Sequence, residues 1–338
     1  MTVYHFIFII FYLLIQIFFI KNKFLLEKVD FSTHKKFINK NQIPVTGGLL
    51  FLIYFVLFIK GYNYVEMLIY FFIFLIGFIS DFRKNFTPIL RLILQIILCI
   101  LFIWLSGTSI TNINIDFFNQ FLIDYNSLSI LLTTFSIIVL VNGSNFIDGV
   151  NLSAIGYYLG LFVLFYFLGN EPSISNNQIF LKNIIIILSF ILLINIFNMT
   201  MLGDGGIYLI SFITGFFVIG LVDQNRIFSP YFAVLIFWYP CIENLFSIIR
   251  KKLIKIKTAQ ADNLHLHHLI YFVFKKKFKN KYVNNITGLS LLLFNYLIFY
   301  LSFIFYSNTK ILIVIFLACV ALYVLLYLYF YKLTKQLI

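Results

Sequence analysis

The segment VNGSNFIDGVNLSAIG, residues 141–156, sets Asn142, Asn145, Asp148 and Asn151 at three-residue spacing after an apolar run. If a helix begins there, Asp148 and Asn151 share one face with Asn145 a turn earlier, forming a local cluster of carboxylate and amide groups. Such a cluster can cap a helix start or hold a ligand, and Gly143 and Gly149 permit the close backbone approach that a ligand needs. A second candidate is LGDGG at 202–206, where a Gly-rich helix entry around Gly203 offers N–H groups to a phosphate and the Asp204 carboxylate offers oxygen to Mg²⁺. In GFISDFRKNFTPILRLILQ, residues 77–95, Asp81 closes one apolar run, Arg83 and Lys84 follow, and Arg91 precedes Gln95 by four residues. Arg91 either snorkels to an interface or pairs with Asp81 or a phosphate.

The segment ADNLHLHH, residues 261–268, places His265, His267 and His268 beside Asp262 and Asn263 in a basic stretch. No cysteine is near and the spacing does not set four ligands, which argues against zinc. Imidazoles among Lys and Arg suit N–H donation to phosphate oxygens, with His34 and Arg250 as further contributors; Arg250, Lys251 and Lys252 serve equally well as topological charges alone. Carboxylates for a hard cation, Gly-rich phosphate loops and basic donors together suit phosphoryl transfer.

The elements that must position these groups are membrane spans. The chain of 338 residues is 62% hydrophobic, 20% aromatic and only 11% charged, with mean hydropathy +0.99, far from the roughly 25% charged residues of soluble domains. Apolar windows near 3–20, 46–59, 64–80, 88–107, 122–141, 152–169, 180–199, 205–222, 229–249, 285–306 and 311–331 predict an all-α polytopic bundle of 10–11 helices. Residues 1–338 are expected to form one integral-membrane domain with a long loop at 250–283. The first window lacks a basic start and a small-residue cleavage site, so it reads as a retained helix. Cys99, Cys241 and Cys319 show no paired spacing and read as apolar packers.

Basic residues set the expected orientation. Lys21, Lys23, Lys28, Lys35, Lys36 and Lys40 follow the first window, and ten more lie between Arg250 and Lys281. Both stretches are predicted to be cytoplasmic, which puts the N-terminus outside and the C-terminus, with Lys332 and Lys335, inside. The same threading brings all four polar clusters to the cytoplasmic face, the acceptor then being a lipid. The net charge of +13 is mostly topological, with a share for anionic headgroups or substrate. Nothing resembles a nucleic-acid interface, since no basic stripe stands apart from the membrane ends.

Five segments in order, PVTGG (44–48), GFISDFRKNFTPILRLILQ (77–95), NGSNFIDGVN (142–151), FNMTMLGDGG (197–206) and DNLHLHH (262–268), resemble the polyprenyl-phosphate N-acetylhexosamine-1-phosphate transferases of the MraY/WecA type. The resemblance covers roughly residues 30–290. It implies transfer of a sugar 1-phosphate from a UDP-N-acetylhexosamine to undecaprenyl phosphate at the inner membrane, with Mg²⁺ or alternatively Mn²⁺. The products are UMP and a lipid diphosphate sugar that starts an envelope polysaccharide such as O-antigen, capsule or teichoic acid. The implied partners are those substrates and the bilayer, with homodimer formation also considered.

By the same resemblance Asp204 and Asp148 are metal positions, and Asp81, Asp148, His265, His267 and His268 are catalytic. Asn142, Asn145, Asn151, Gly203, Arg91 and Arg250 would bind substrate. Two departures stand out: Ser80 replaces the first of the family's paired aspartates, and Asn151 stands where many members have Asp. Glu243, in YPCIENLF, sits where an Asp is often found. The competing expectations are a transporter of the same lipid, which would carry a midplane site on broken helices or repeats, and an inactive membrane scaffold, which Ser80 keeps open.

Overall fold

A computed structural model describes residues 3–26, 43–59, 61, 63–83, 85–169, 174, 177–225, 227–255, 263–278 and 282–337. Lys28, His34, Lys35, Lys36, Lys40, Lys84, Asp262 and Lys281 lie outside the described residues. Among the described residues there are fourteen helices: α1 Val3–Lys21, α2 Gly47–Phe58, α3 Tyr64–Phe82, α4 Pro88–Ser106, α5 Asp116–Asp124, α6 Asn126–Ile147, α7 Ser153–Phe167, α8 Gln178–Ile196, α9 Gly203–Gln224, α10 Pro230–Ile236, α11 Trp238–Leu253, α12 Leu266–Phe278, α13 Val283–Phe305 and α14 Thr309–Leu337. No strand accompanies them, only an isolated bridge between Leu26 and Pro44. The protein is an all-α polytopic membrane protein. Among the described residues eight helices are long and apolar enough to cross a bilayer, the bent pair α10–α11 passes the same test only when taken together, and α2 and α7 are shorter apolar helices. These eleven segments correspond one to one with the eleven apolar windows.

Local chemistry sets the helix ends. Asn63 and Glu66 cap α3 reciprocally, each side chain taking the other's backbone N–H. The Thr87 hydroxyl accepts from the Leu90 amide and Pro88 opens α4, while Gly107, at φ +66°, closes it. The span over 229–249, expected as one helix, bends by 71° between α10 and α11. Pro240 is the physical reason, because it has no N–H to return to the carbonyl four residues back. That carbonyl, on Ile236, accepts the buried hydroxyl of Tyr157 instead.

The bundle is organised around α9, whose apolar window is 89% buried, against 17% for α1 and 22% for α4 and α14. α9 packs on α2, α3 and α6, and the outer helices turn residues such as Trp104, Phe135 and Leu325 outward, as lipid contact requires. At one end, Thr111 donates to Asp223, Asn114 to Thr309 at 2.8 Å, and Ser229 bonds Thr309 at 2.8 Å. The other end gathers the N-termini of α2, α4, α7 and α9 with the C-termini of α3 and α6, and it carries the polar motifs.

The α2–α9 crossing depends on small residues: a Cβ on Gly48 would lie 2.5 Å from the Gly206 backbone, where no flexible side chain can yield. Gly48→Ala is expected to cost about 1–3 kcal/mol by overpacking and to lower the Tm in detergent. Gly220→Ala, whose new methyl would meet only Thr108 at 3.8 Å, is expected to leave the Tm unchanged or raise it slightly. Thermal melts of the two variants check this, and equal melting temperatures would contradict the crossing.

Candidate active site

Asp204 lies in the first turn of α9, where partial positive charge from the helix start favours a carboxylate. Its Oδ2 accepts from the Ser80 hydroxyl at 2.9 Å and from Arg91 Nη1 at 3.1 Å, and the same Arg91 nitrogen donates to Ser80 Oγ at 2.5 Å. The Arg91 and Asp204 side chains are 23% and 14% exposed, so the ion pair is neither dry nor freely solvated. Arg91, open to Asp81 or a phosphate in the sequence, meets Asp204. The Asp204 amide is also engaged, donating to Asp81 Oδ1 at 3.2 Å. The Gly-rich helix entry thus gives a first-turn N–H to a protein carboxylate. Gly203 makes this possible: its φ is +69°, and a Cβ there would lie 2.6 Å from Asp81 Oδ2 and 2.0 Å from Val45.

The cluster extends sideways. Arg91 Nη1 reaches the Tyr208 hydroxyl at 3.4 Å. Gln95, one helical turn beyond Arg91, accepts from Asn142 Nδ2 at 3.0 Å. Asn142 sits in the last turns of α6, so the α3–α4–α9 cluster connects to the segment carrying Asn145 and Asp148. The Asp148 amide donates to the Asn145 carbonyl at 3.4 Å as α6 ends.

The expected helix start at 145–151 is corrected here. Asp148 caps the end of α6, Asn151 lies in the following turn, and Leu152, at φ +70°, precedes α7. This left-handed residue interrupts the helix, so Asp148 and Asn151 do not share a helical face. Nor does Asn151 cap α7. Its Nδ2 donates to Asn198 Oδ1 at 2.6 Å and Asn285 Oδ1 at 2.7 Å, and its amide donates to Asn284 Oδ1 at 3.1 Å. The Leu152 amide donates to Asn195 Oδ1 at 2.9 Å, and Asn195 Nδ2 reaches the Thr200 carbonyl at 2.8 Å. These amides tie the Asp148 turn to the loop leading into Asp204. An Asp at 151 would have no N–H for Asn198 and Asn285, which gives the amide there a structural reason.

PVTGG completes this support. Pro44 O accepts the Met201 amide at 3.1 Å, and the Gly47 and Gly48 amides return to the Met201 and Leu202 carbonyls at 2.9 and 3.1 Å. The buried Thr46 hydroxyl bonds Gln16 at 2.6 Å and Thr200 at 2.9 Å. The loop before Asp204 is therefore held from α1, α2, α8 and the Asn151 turn.

His265, His267 and His268 are buried at the start of α12. His267 lies directly on Gly149, next to Asp148. His265 lies on Phe146, with ring centroids 4.8 Å apart. The histidine segment and the α6 turn thus form one surface. Arg250 and Lys251 are buried as well: Arg250 Nη2 donates to Ser247 at 3.2 Å, and Lys251 Nζ stands 5.8 Å from the Phe146 centroid. Lys252 is exposed.

Tyr208, Gln95, Lys251 and Glu243 were not among the expected site residues. Glu243 was visible as an acidic residue where the resembled family often has Asp, but its partners come from distant segments. Among the described residues, no three His, Cys, Asp or Glu side chains gather as metal ligands. Asp81 and Asp204 are adjacent through the Asp204 amide, and their carboxylates could hold a hard cation with other oxygens supplied by water or phosphate.

Residues 63–222 match the model of glycosyl transferase family 4, the family of MraY/WecA-like polyprenyl-phosphate hexosamine-1-phosphate transferases. The matched region contains the segments at 77–95, 142–151 and 197–206; PVTGG and the histidine segment lie outside it. It supports a polyprenyl-phosphate sugar-1-phosphate transferase in general. Comparison with curated protein sequences gives no match.

Coupling between Arg91 and Asp204 is directly measurable. Arg91→Gln and Asp204→Asn are each expected to lower the Tm, with the double variant losing less than the sum by an amount equivalent to about 0.5–3 kcal/mol. Strictly additive losses would show that the two side chains do not act as a pair.

Proposed function

Taking residues 63–222 as a glycosyl transferase family 4 region, we propose that the chain transfers N-acetylhexosamine 1-phosphate from a UDP-N-acetylhexosamine to undecaprenyl phosphate. The reaction would occur at the cytoplasmic face of the inner membrane. An oxygen of the lipid phosphate attacks the sugar-bearing β-phosphorus, the new P–O–P bond forms, and the bond to the bridging oxygen of UMP breaks. UMP leaves with that electron pair. A phosphate monoester with a second pKa near 6 is largely dianionic at pH 7, so its oxygen needs no general base.

The observation that carries this proposal is the Arg91–Ser80–Asp204–Asp81 cluster at the polar end of an apolar bundle. Arg91 is placed to exchange part of its contact with Asp204 for a diphosphate oxygen. Ser80 supplies a hydroxyl donor to Asp204 where the resembled family has a carboxylate, leaving less negative charge for the cation and diphosphate to meet. Asp148 assists from the α6 turn, while His265, His267, His268 and Arg250 offset charge developing on the departing UMP. Asn142, Asn145 and Asn151 shape the wall between these groups. Mg²⁺ would be held by the carboxylate of Asp204 with that of Asp148 or Asp81, since it commonly binds through one or two carboxylates plus substrate phosphates; when bound it would neutralise the diphosphate, and Mn²⁺ is the alternative.

The direct test is UMP release from purified protein given undecaprenyl phosphate, Mg²⁺ and a panel of UDP-N-acetylhexosamines. Release is expected to depend on the lipid, to stop with EDTA, to return with Mg²⁺ or Mn²⁺, and to fall at least about 100-fold in Asp204→Asn. No release with any donor from folded protein would overturn the transferase and favour the transporter or scaffold. A phosphorylated peptide containing Asp81 or Asp148 would replace direct attack with a covalent route.

A further inference from the structure

Glu243, on α11, is 1% exposed and lies outside the matched family region. Burying a carboxylate costs several kcal/mol unless donors surround it, and three do. His265 Nδ1 lies 2.8 Å from Oε1, the Leu266 amide reaches the same oxygen at 3.4 Å, and the Tyr323 hydroxyl donates to Oε2 at 2.9 Å. Tyr323 belongs to α14, so segments far apart in sequence meet at one carboxylate.

An ionised carboxylate only accepts hydrogen bonds. Facing it, His265 Nδ1 carries the proton whether the ring is neutral or charged, and Nε2 becomes the ring nitrogen that distinguishes the two states. The rest of the ring is fixed by Phe146 from α6, by His267 in a near-parallel stack at 5.7 Å and 9°, and by His268 at 6.0 Å. If this carboxylate served stability alone, an apolar residue of similar volume would do as well or better.

We propose that Glu243 is a positioning residue which, clamped by Tyr323, holds His265 through its Nδ1–H and thereby orients the ring so that Nε2, when it carries a proton as well, donates to a phosphate oxygen of the sugar nucleotide. The inference rests on the transferase assignment for its function, but the tautomer is independent of it.

The chain has five histidines, few enough for nitrogen-edited NMR of ¹⁵N-histidine-labelled protein in detergent, with His265→Gln assigning the signal. The expected result is Nδ1–H in the wild type and its loss in Glu243→Leu. Glu243→Leu is also expected to lower kcat for UMP release about 10–100-fold, with KM for the UDP-sugar changing less than about threefold. Glu243→Gln, which keeps an acceptor oxygen, recovers most of that kcat. Tyr323→Phe, which removes one oxygen and no carbon, lowers kcat in the same sense and carries the kinetic arm if Glu243→Leu does not fold. A wild-type Nε2–H tautomer without Nδ1–H, or unchanged kcat in Glu243→Leu and Tyr323→Phe together, would overturn the proposal. Absence of UMP release in the wild type would instead overturn the transferase assignment, while the NMR result still decides the tautomer.

Discussion

The structure depends on holding a carboxylate, Asp204, in one orientation at the end of a bundle made mostly of apolar side chains. Hydrocarbon offers no hydrogen bonds, so an ionisable group near it needs a partner or water. Asp204 has the start of α9 beneath it, Ser80 and Arg91 on Oδ2, and its own amide on Asp81. Ser80 and Asp81 come from the last turn of α3 and Arg91 from the start of α4, so the position of the carboxylate determines how those helix ends meet α9.

Neutral amides spread that constraint through the site. The Asn151 and Leu152 amides and Asn151 Nδ2 donate to the side-chain oxygens of Asn195, Asn198, Asn284 and Asn285, which joins the α6–α7 turn, the loop before α9 and the start of α13 without adding charge. Gln95 and Asn142 do the same between α4 and α6. Charge is concentrated at Asp81, Asp204, Arg91 and the buried basic residues near His265. Polar groups that organise the backbone are therefore largely distinct from the charged ones.

The apolar windows made the bundle legible in the sequence, because twenty-residue hydrophobic runs have few alternatives in a chain this poor in charge. The motifs around Asp81, Asn142 and Asp204 were also visible as polar exceptions. The turn at 148–152 was not: a leucine at positive φ follows no local preference, and the tertiary amide network around Asn151 and Leu152 holds it. The bend at Pro240 has a local cause, but the hydroxyl that satisfies the released carbonyl comes from Tyr157, some eighty residues earlier. Burial of Lys251 was obscured by its basic neighbours, which read as topology. The His265–Glu243–Tyr323 contact joins three remote segments whose pairing carries no local signature.

In the proposed function Asp204 and Asp81 handle phosphate and Arg91 is the cation that moves. Diffraction from crystals grown with UDP and Mn²⁺, measured at the manganese absorption edge, tests this most directly. The expected result is an anomalous peak at the Asp204 carboxylate with Arg91 turned toward the diphosphate. A peak at the opposite end near Asp223, or a bound nucleotide that leaves the Asp204 cluster untouched, would contradict it.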